Sequence, residues 1–199
     1  MTILYMARVA RYDLLTPVTY LASRITKWSR GCDRKLHRLM CYIETSQDYV
    51  LEGYVGDKLD DVRLTLYSDA AFAGCKITMR STSGVFLVLT GPNTFFPFTA
   101  VSRKQTCASR STTEAEMVAA NLALRQVGLP AQILLNTLLG RDVPLVLKED
   151  NTATIQIMLS GKTPNLRHVS RTHSINLCWI HERIAGDVGR YARIFVGYC

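Results

Sequence analysis

Three carboxylates stand where secondary structure should change. Asp69 follows the alternating run Leu64-Thr65-Leu66-Tyr67-Ser68, Glu116 lies in the opening turn of a helical stretch, and Asp150 follows Leu145-Val146-Leu147-Lys148-Glu149. An Asp at the end of a half-buried strand is a poor packing choice, because its charge is costly to bury unless something pairs with it. Strand ends on one edge of a sheet, with a helix packed across them, can bring such groups together. Carboxylates that close repel and raise one another's pKa unless a cation holds them. Mg²⁺ suits such a site: it takes carboxylate oxygens, keeps several waters and binds phosphates. Two such ions would activate water and stabilise the leaving oxygen in phosphodiester cleavage. The alternative, on spacing alone, is a set of unrelated surface acids with one helix-capping Glu.

The elements that must position these acids are readable from periodicity. Residues 1 to about 55 read as helical: Leu4, Ala7, Ala10 and Leu14 recur at helical spacing, and Pro17 fits a first turn. A second helix is expected from about Arg34 to Thr45, and a short strand over Tyr49–Tyr54. An acidic turn near Asp60-Asp61 joins this segment to a strand-rich one. Strands are expected over Val62–Ser68, Ser83–Leu89 and Thr94 to about Val101, with Pro97 marking an edge or bulge in the last. Ser102-Arg103-Lys104-Gln105 reads as a basic polar step. Thr113/Glu116 and Ser111/Glu114 both fit a capping box at the start of a long helix. Pro130 should kink or break it before a second stretch, Ala131–Leu139, which Gly140 closes. A buried strand over Leu145–Asp150 follows, then helical spacing in Ala153, Ile157 and Met158. A loop over Gly161–Arg167, a helix over Ser174–Ile184 and a last strand over Tyr191–Val196 complete the chain. Strands followed by alternating strand and helix give an α/β or α+β domain with a mixed sheet.

Composition narrows the partner. The 199 residues suffice for one large domain, or one domain plus an accessory segment, and 24 basic against 16 acidic residues leave a net charge of +8. That excess favours a polyanion, of which nucleic acid is the commonest. The 6 cysteines form no C-x-x-C pair and meet no histidine at zinc-ligand spacing beyond the isolated Cys178/His181 pair. Neither a zinc site nor a disulfide framework is expected; reduced thiols fit an intracellular setting, cytoplasmic or nuclear. Arg8 and Arg11 interrupt the first apolar run, and no run of 18 apolar residues occurs, so neither a signal peptide nor a membrane partner is expected.

Six motifs in order carry a resemblance. They are Tyr67-Ser68-Asp69-Ala70, Arg80-Ser81-Thr82-Ser83-Gly84, Ser102-Arg103-Lys104-Gln105, Ser111-Thr112-Thr113-Glu114-Ala115-Glu116, Glu149-Asp150-Asn151 and Ser170-Arg171-Thr172. This succession resembles the ribonuclease H domain of copia-type LTR-retrotransposon polyproteins. Upstream, Leu4-Tyr5-Met6-Ala7, Arg11-Tyr12-Asp13 and Tyr49-Val50-Leu51 resemble the segment that links reverse transcriptase to that domain. The resemblance implies two units, 1–60 as a reverse-transcriptase connection-like helical segment and 61–199 as a ribonuclease H-like domain. The implied fold is a mixed sheet of about five strands flanked by helices. The implied activity is hydrolysis of the RNA strand of RNA–DNA hybrids with two Mg²⁺ (or Mn²⁺) ions. Carried over by motif, Asp69, Glu116 and Asp150 are metal-binding acids, Glu116 being preferred to Glu114 because the apolar Met117-Val118-Ala119-Ala120 run follows it. Glu114 is left to serve the helix N-terminus.

The chain also departs from the family. The fourth acid's position, after Ser-Arg-Thr, reads His173-Ser174-Ile175-Asn176, so Asn176 stands where a carboxylate is usual and weakens the metal set without emptying it. Ser174 replaces a histidine, which leaves His173 as a candidate proton shuttle or a plain surface histidine. Ala71 replaces an acid two places after Asp69. Phosphate or ribose contacts are expected from Ser81, Thr82, Arg103, Lys104, Asn151 and Arg171, with Arg110 a further cation. The Phe95-Phe96-Pro97-Phe98 run is a stacking platform or, preferably, edge packing. No polymerase core is visible, so the chain reads as a piece or remnant of a polyprotein that does not itself synthesise DNA, with the polymerase part of a reverse transcriptase as a further partner. The rival from another class is a catalytically weak or inactive nucleic-acid-binding module. A third, an exonuclease- or integrase-like use of the same acids, fits the copia-like succession less well.

Overall fold

A computed structural model describes residues 2–75, 78–162, 168–185 and 194–199. The helices are α1 (Thr2–Val9), α2 (Leu15–Ala22), α3 (Arg30–Thr45), α4 (Thr112–Ala123), α5 (Leu129–Leu139), α6 (Thr152–Ser160), α7 (Val169–Thr172) and α8 (Leu177–Ala185). The strands are β1 (Tyr54–Val55), β2 (Arg63–Ala71), β3 (Thr82–Gly91), β4 (Thr94–Lys104), β5 (Leu145–Glu149) and β6 (Ile194–Tyr198). They form one sheet in the order β1-β4-β3-β2-β5-β6. β2, β3 and β4 pair antiparallel, as does β1 with β4, whereas β5 runs parallel to both β2 and β6. This is the expected α/β class, a mixed sheet flanked by helices, and its six described strands compare with the six read from periodicity and the about five implied by the resemblance.

Several element boundaries correct the sequence reading. Of Tyr49–Tyr54 only Tyr54 enters the sheet, pairing with Val55 onto Phe95 and Thr94 at the edge. β2 runs two residues beyond Asp69, because Ala70 and Ala71 still pair with Ser83 and Thr82. Ser102–Lys104 are strand rather than a polar step. Pro97 does sit at a bulge: the register slips between Leu87 and Val88, which sets Pro97 opposite Val88. Of the kink or break expected at Pro130, the break does not occur. A π-wound stretch, Leu124–Gly128, joins α4 to α5, and Pro130 falls in the first turn of α5, where its missing N–H is tolerated. The helical run Thr112–Leu139 is long and apolar enough to cross a membrane by length and composition. Its apolar face is spent on the sheet instead, through Met117, Ala120, Ala123 and Leu124. The expected loop beyond residue 162, and the strand residues Tyr191, Ala192 and Arg193, lie outside the described residues.

Two apolar clusters use opposite faces of the sheet. Leu64, Leu66, Val85, Leu87, Leu145 and Leu147 pack under α4, with Met158, Val169 and Ile180 closing the cluster. Gly128 lets the helix approach closely, since a Cβ there would lie 2.7 Å from Leu66 Cδ2. On the far side, Leu14, Leu15, Val18, Leu21 and Leu39 of the N-terminal segment enclose Ala100 of β4, with Phe86 against them. The segment is helical as its spacing predicts and folds as three helices, the expected second helix over Arg34–Thr45 starting four residues earlier, at Arg30. Buried Arg11 holds the turn after α1, bonding Asp13 at 2.7 Å and the Ser46 carbonyl, just past α3, at 2.8 Å. Asp13 is accordingly held below the usual carboxylate range by the Arg11 hydrogen bond.

Candidate metal centre

The sheet centre and the start of α4 bring the three acids together. Ser111 caps α4, its Oγ accepting the Glu114 N–H at 3.1 Å, so of the two capping readings Ser111 is the N-cap, while the Glu114 carboxylate accepts the Arg110 N–H at 2.9 Å. A buried amide then fixes the loop before the helix to the sheet. Gln105 Nε2 donates to Ser83 Oγ at 3.0 Å and to the Ala115 carbonyl at 2.9 Å, and Ser109 Oγ donates to Gln105 Oε1 at 3.1 Å. Ala70, Ala115 and Ala119 form a small buried contact, and their short side chains let α4 lie close to β2. The result sets oxygens of Asp69, Glu116 and Asp150 all within 4.8 Å of one another.

The electrostatics of this cluster are unbalanced. Asp69 and Asp150 are exposed, while Glu116 is buried and its Oε2 has no hydrogen-bond partner among the described residues. Burial, and then the charges of Glu149, Asp69 and Asp150, push the Glu116 carboxyl up to about 8. Glu149 is a fourth acid that the motif reading missed. It is fully buried, accepts a hydrogen bond from Ser68 Oγ at 2.9 Å, and is pushed up to about 7, chiefly by burial. Strand alternation carried the signal: Leu145 and Leu147 face the core, so Glu149 must as well. An unpartnered, buried carboxylate oxygen beside two exposed carboxylates is a donor set that fits a hard divalent cation.

The other expected residues fall into distinct places. Asn176 Oδ1 accepts the Trp179 N–H at 3.1 Å and so caps α8, which therefore begins three residues later than expected. His173 is not a surface histidine. Its side chain is 1% exposed and its Nε2 lies 3.0 Å from Glu114 Oε1. His168 Nε2 lies 3.2 Å from the other Glu114 oxygen, which also accepts the Arg110 N–H at 2.9 Å. Burial alone would raise Glu114, but the Arg110 amide and the two histidines hold it below its usual value. Asn151 caps α6 by accepting the Thr154 N–H at 3.0 Å. Ser81 is buried and accepts the Ala73 N–H at 3.1 Å, fixing the turn after β2. Thr82 is half-buried, and Lys104 Nζ lies 2.8 Å from Cys75 Sγ. Arg103 is exposed and reaches Gln126 Oε1 at 3.2 Å; Arg110 and Arg171 are exposed. Phe95, Phe96 and Phe98 are partly exposed near the β1 edge, with Phe96 and Phe98 in edge contact at 5.5 Å.

No family model and no characterised protein sequence matches the chain. Among solved structures, it is similar to a ribonuclease H1 isolated from compost by a metagenomic approach, at 15% identity and a TM-score of 0.41, over 69% of this chain and 84% of that one. It is also similar to a foamy viral protease–reverse transcriptase in complex with double-stranded DNA, at 12% identity and a TM-score of 0.40. A mutant of the prototype foamy virus protease–reverse transcriptase aligns at 14% identity and a TM-score of 0.36. The chain spans 33% and 21% of these last two chains. All three scores are too low to bear on function, and the acid cluster stands on the chain's own geometry.

Proposed function

We propose that this chain is a divalent-metal-dependent endonuclease that hydrolyses the RNA strand of RNA–DNA hybrids, and that it derives from a copia-type retrotransposon polyprotein. The observation that carries the reading is the cluster itself: three carboxylates within 4.8 Å, one of them buried with a bare oxygen. They occur in the order of motifs that resembles the copia-type ribonuclease H domain. Asp69, Glu116 and Asp150 would hold Mg²⁺ or Mn²⁺. Bound there, a pair of ions supplies Lewis acidity at the scissile phosphate and a water acidic enough to attack at neutral pH.

The chain's own groups set the stage for that chemistry. Ionised, Glu116 would present its buried carboxylate to the cation from the start of α4, opposite Asp69 and Asp150. Ser68 and the Asn151 amide hold Glu149 beneath Asp150, which orients the end of β5. Glu114, His168 and His173 pin α7 and the residue after it to α4, so His173 serves as a positioning residue. Asn176 contributes its cap, and any ligand role is secondary to it. Thr82, Arg103 and Lys104 supply a hydroxyl and two cations near the β3–β4 end of the site for ribose and phosphate contacts. Residues 1–60 act as the connection to a polymerase part.

The test is direct. Purified protein with Mg²⁺ or Mn²⁺ should cut the labelled RNA strand of a hybrid and leave duplex DNA intact. Retained hybrid binding with no cleavage in either metal would replace this reading with that of a binding module.

A further inference from the structure

A groove of about 940 Å³ lies on the sheet face opposite α4, roofed by α2 and reaching Asp69 at one end. Its floor follows the strand register. Tyr67 pairs with Phe86, Asp69 with Gly84 and Gly84 with Ser102, while Ala71, Thr82 and Lys104 form the next row. Gly84 leaves the floor open beside Asp69: a Cβ there would meet only the Asp69 carbonyl, at 3.7 Å.

The lining has one charge sign apart from Asp69. Arg24, Lys35 and Lys104 contribute cations, and Asp69 is the single acid among the described lining residues. Among the described residues neither Arg24 nor Lys35 has an acidic partner within 4 Å. Both gather on Tyr20 instead, the Lys35 ammonium 3.9 Å and the Arg24 guanidinium 5.4 Å from its ring centre. The rest of the lining joins aromatic faces to hydroxyls. Tyr67 and Phe86 lie 6.1 Å apart and tilted by 30°, and Thr16, Thr19, Ser23, Thr82 and Ser102 supply the hydroxyls. Flat rings and a guanidinium plane stack unpaired bases, cations meet phosphates, and hydroxyls meet the ribose 2′-OH. A duplex presents its bases stacked inward and cannot use such a surface.

We infer that this groove binds a single-stranded RNA segment, the continuation of the strand whose scissile phosphate sits at Asp69. The direction of that strand rests on the proposed function; binding in the groove does not. It would let the chain prefer hybrids with an unpaired RNA flank and hold the cut strand after cleavage.

The test uses the full chain and a fluorescent U12 oligoribonucleotide, read by anisotropy without metal. The wild type should bind, and Arg24→Glu/Lys35→Glu should weaken binding at least tenfold. The slope of log affinity against log salt should fall by about 1.4, the value for two phosphates on a single strand. Tyr20→Ala should cost about tenfold, with thermal melting showing each variant folded. No U12 binding, unchanged binding in the charge-reversed variant, or equal affinity for dT12 would overturn the assignment. Hybrid cleavage is scored separately: cleavage without U12 binding leaves the proposed function standing and removes the groove, and the reverse result removes the function alone.

Discussion

Glu114 and Glu116 stand two positions apart near the start of one helix and live in opposite electrostatic worlds. Glu114 is buried among partners: the Arg110 amide, His168 and His173 surround its two oxygens, and its pKa is lowered. Glu116 is buried among acids, with one oxygen bare, and is pushed up to about 8. Helix register alone separates them, since successive residues turn to different sides. One carboxylate is completed within the chain and holds elements together. The other keeps a bare oxygen, which the proposed cation would complete.

The largest effect should come from removing the incomplete acid. Glu116→Gln should lower metal-dependent hybrid cleavage by about 10²–10³-fold, the equivalent of several kcal/mol of lost charge stabilisation. The same change should make the metal-free protein more stable at pH 8 by thermal melting, because it removes a charge from a site that repels it. A loss of metal-free stability in Glu116→Gln would break the contrast between the two acids.

The completed acid should behave in reverse. Glu114→Ala strips a buried carboxylate from two histidines and should cost about 3 kcal/mol, a fall of roughly 6–12 °C in Tm for a chain of this size. Chemical denaturation with an unchanged m-value would check it.

How much of this was legible in the sequence follows from what each feature depends on. The β2 and β5 strands showed in the Leu64/Leu66 and Leu145/Leu147 alternation, because period-two burial is a local property. The motif succession named Asp69, Glu116 and Asp150, and the structure brings those three together. Glu149 was within reach of the same alternation and was overlooked in favour of its exposed neighbour. The pairing of Glu114 with His168 and His173 was hidden, since it joins residues more than fifty positions apart through tertiary packing. Pro130 does not break the helix because it falls in the first turn of α5, where its missing N–H is tolerated, and that placement depends on the π-wound stretch before it.

A smaller effect should appear in pH dependence. Both Glu116 and Glu149 have raised values, so the metal-free folded state binds more protons than the unfolded chain. Their contribution to stability is full below the ordinary Glu value and fades as pH rises towards 7 and 8. Glu114, whose value is lowered, contributes in the opposite sense and loses its share as pH falls through the acid range. Melting temperatures of metal-free wild type should therefore decline from pH 5 to pH 8, and Glu116→Gln should flatten that decline.

The smallest effect is expected at Asn176. Asn176→Asp keeps the α8 cap and adds a negative charge at a helix N-terminus, worth a few tenths of a kcal/mol in stability. Cleavage should change by less than about threefold, because the side-chain oxygen is committed to Trp179 N–H. A gain far larger than that would make Asn176 a member of the ligand set and would redraw the site.

The central claim is that Glu116 is a protonated acid waiting for a cation. Calorimetric titration of Mg²⁺ at pH 7.5, repeated in buffers of different ionisation enthalpy, counts the protons released on binding. The account predicts release of about one proton per chain from the wild type, since a carboxyl near 8 is largely protonated there and must ionise to bind metal. It predicts markedly weaker binding without that release in Glu116→Gln. Mg²⁺ binding with no proton release, or no binding at all to the wild type, would contradict it.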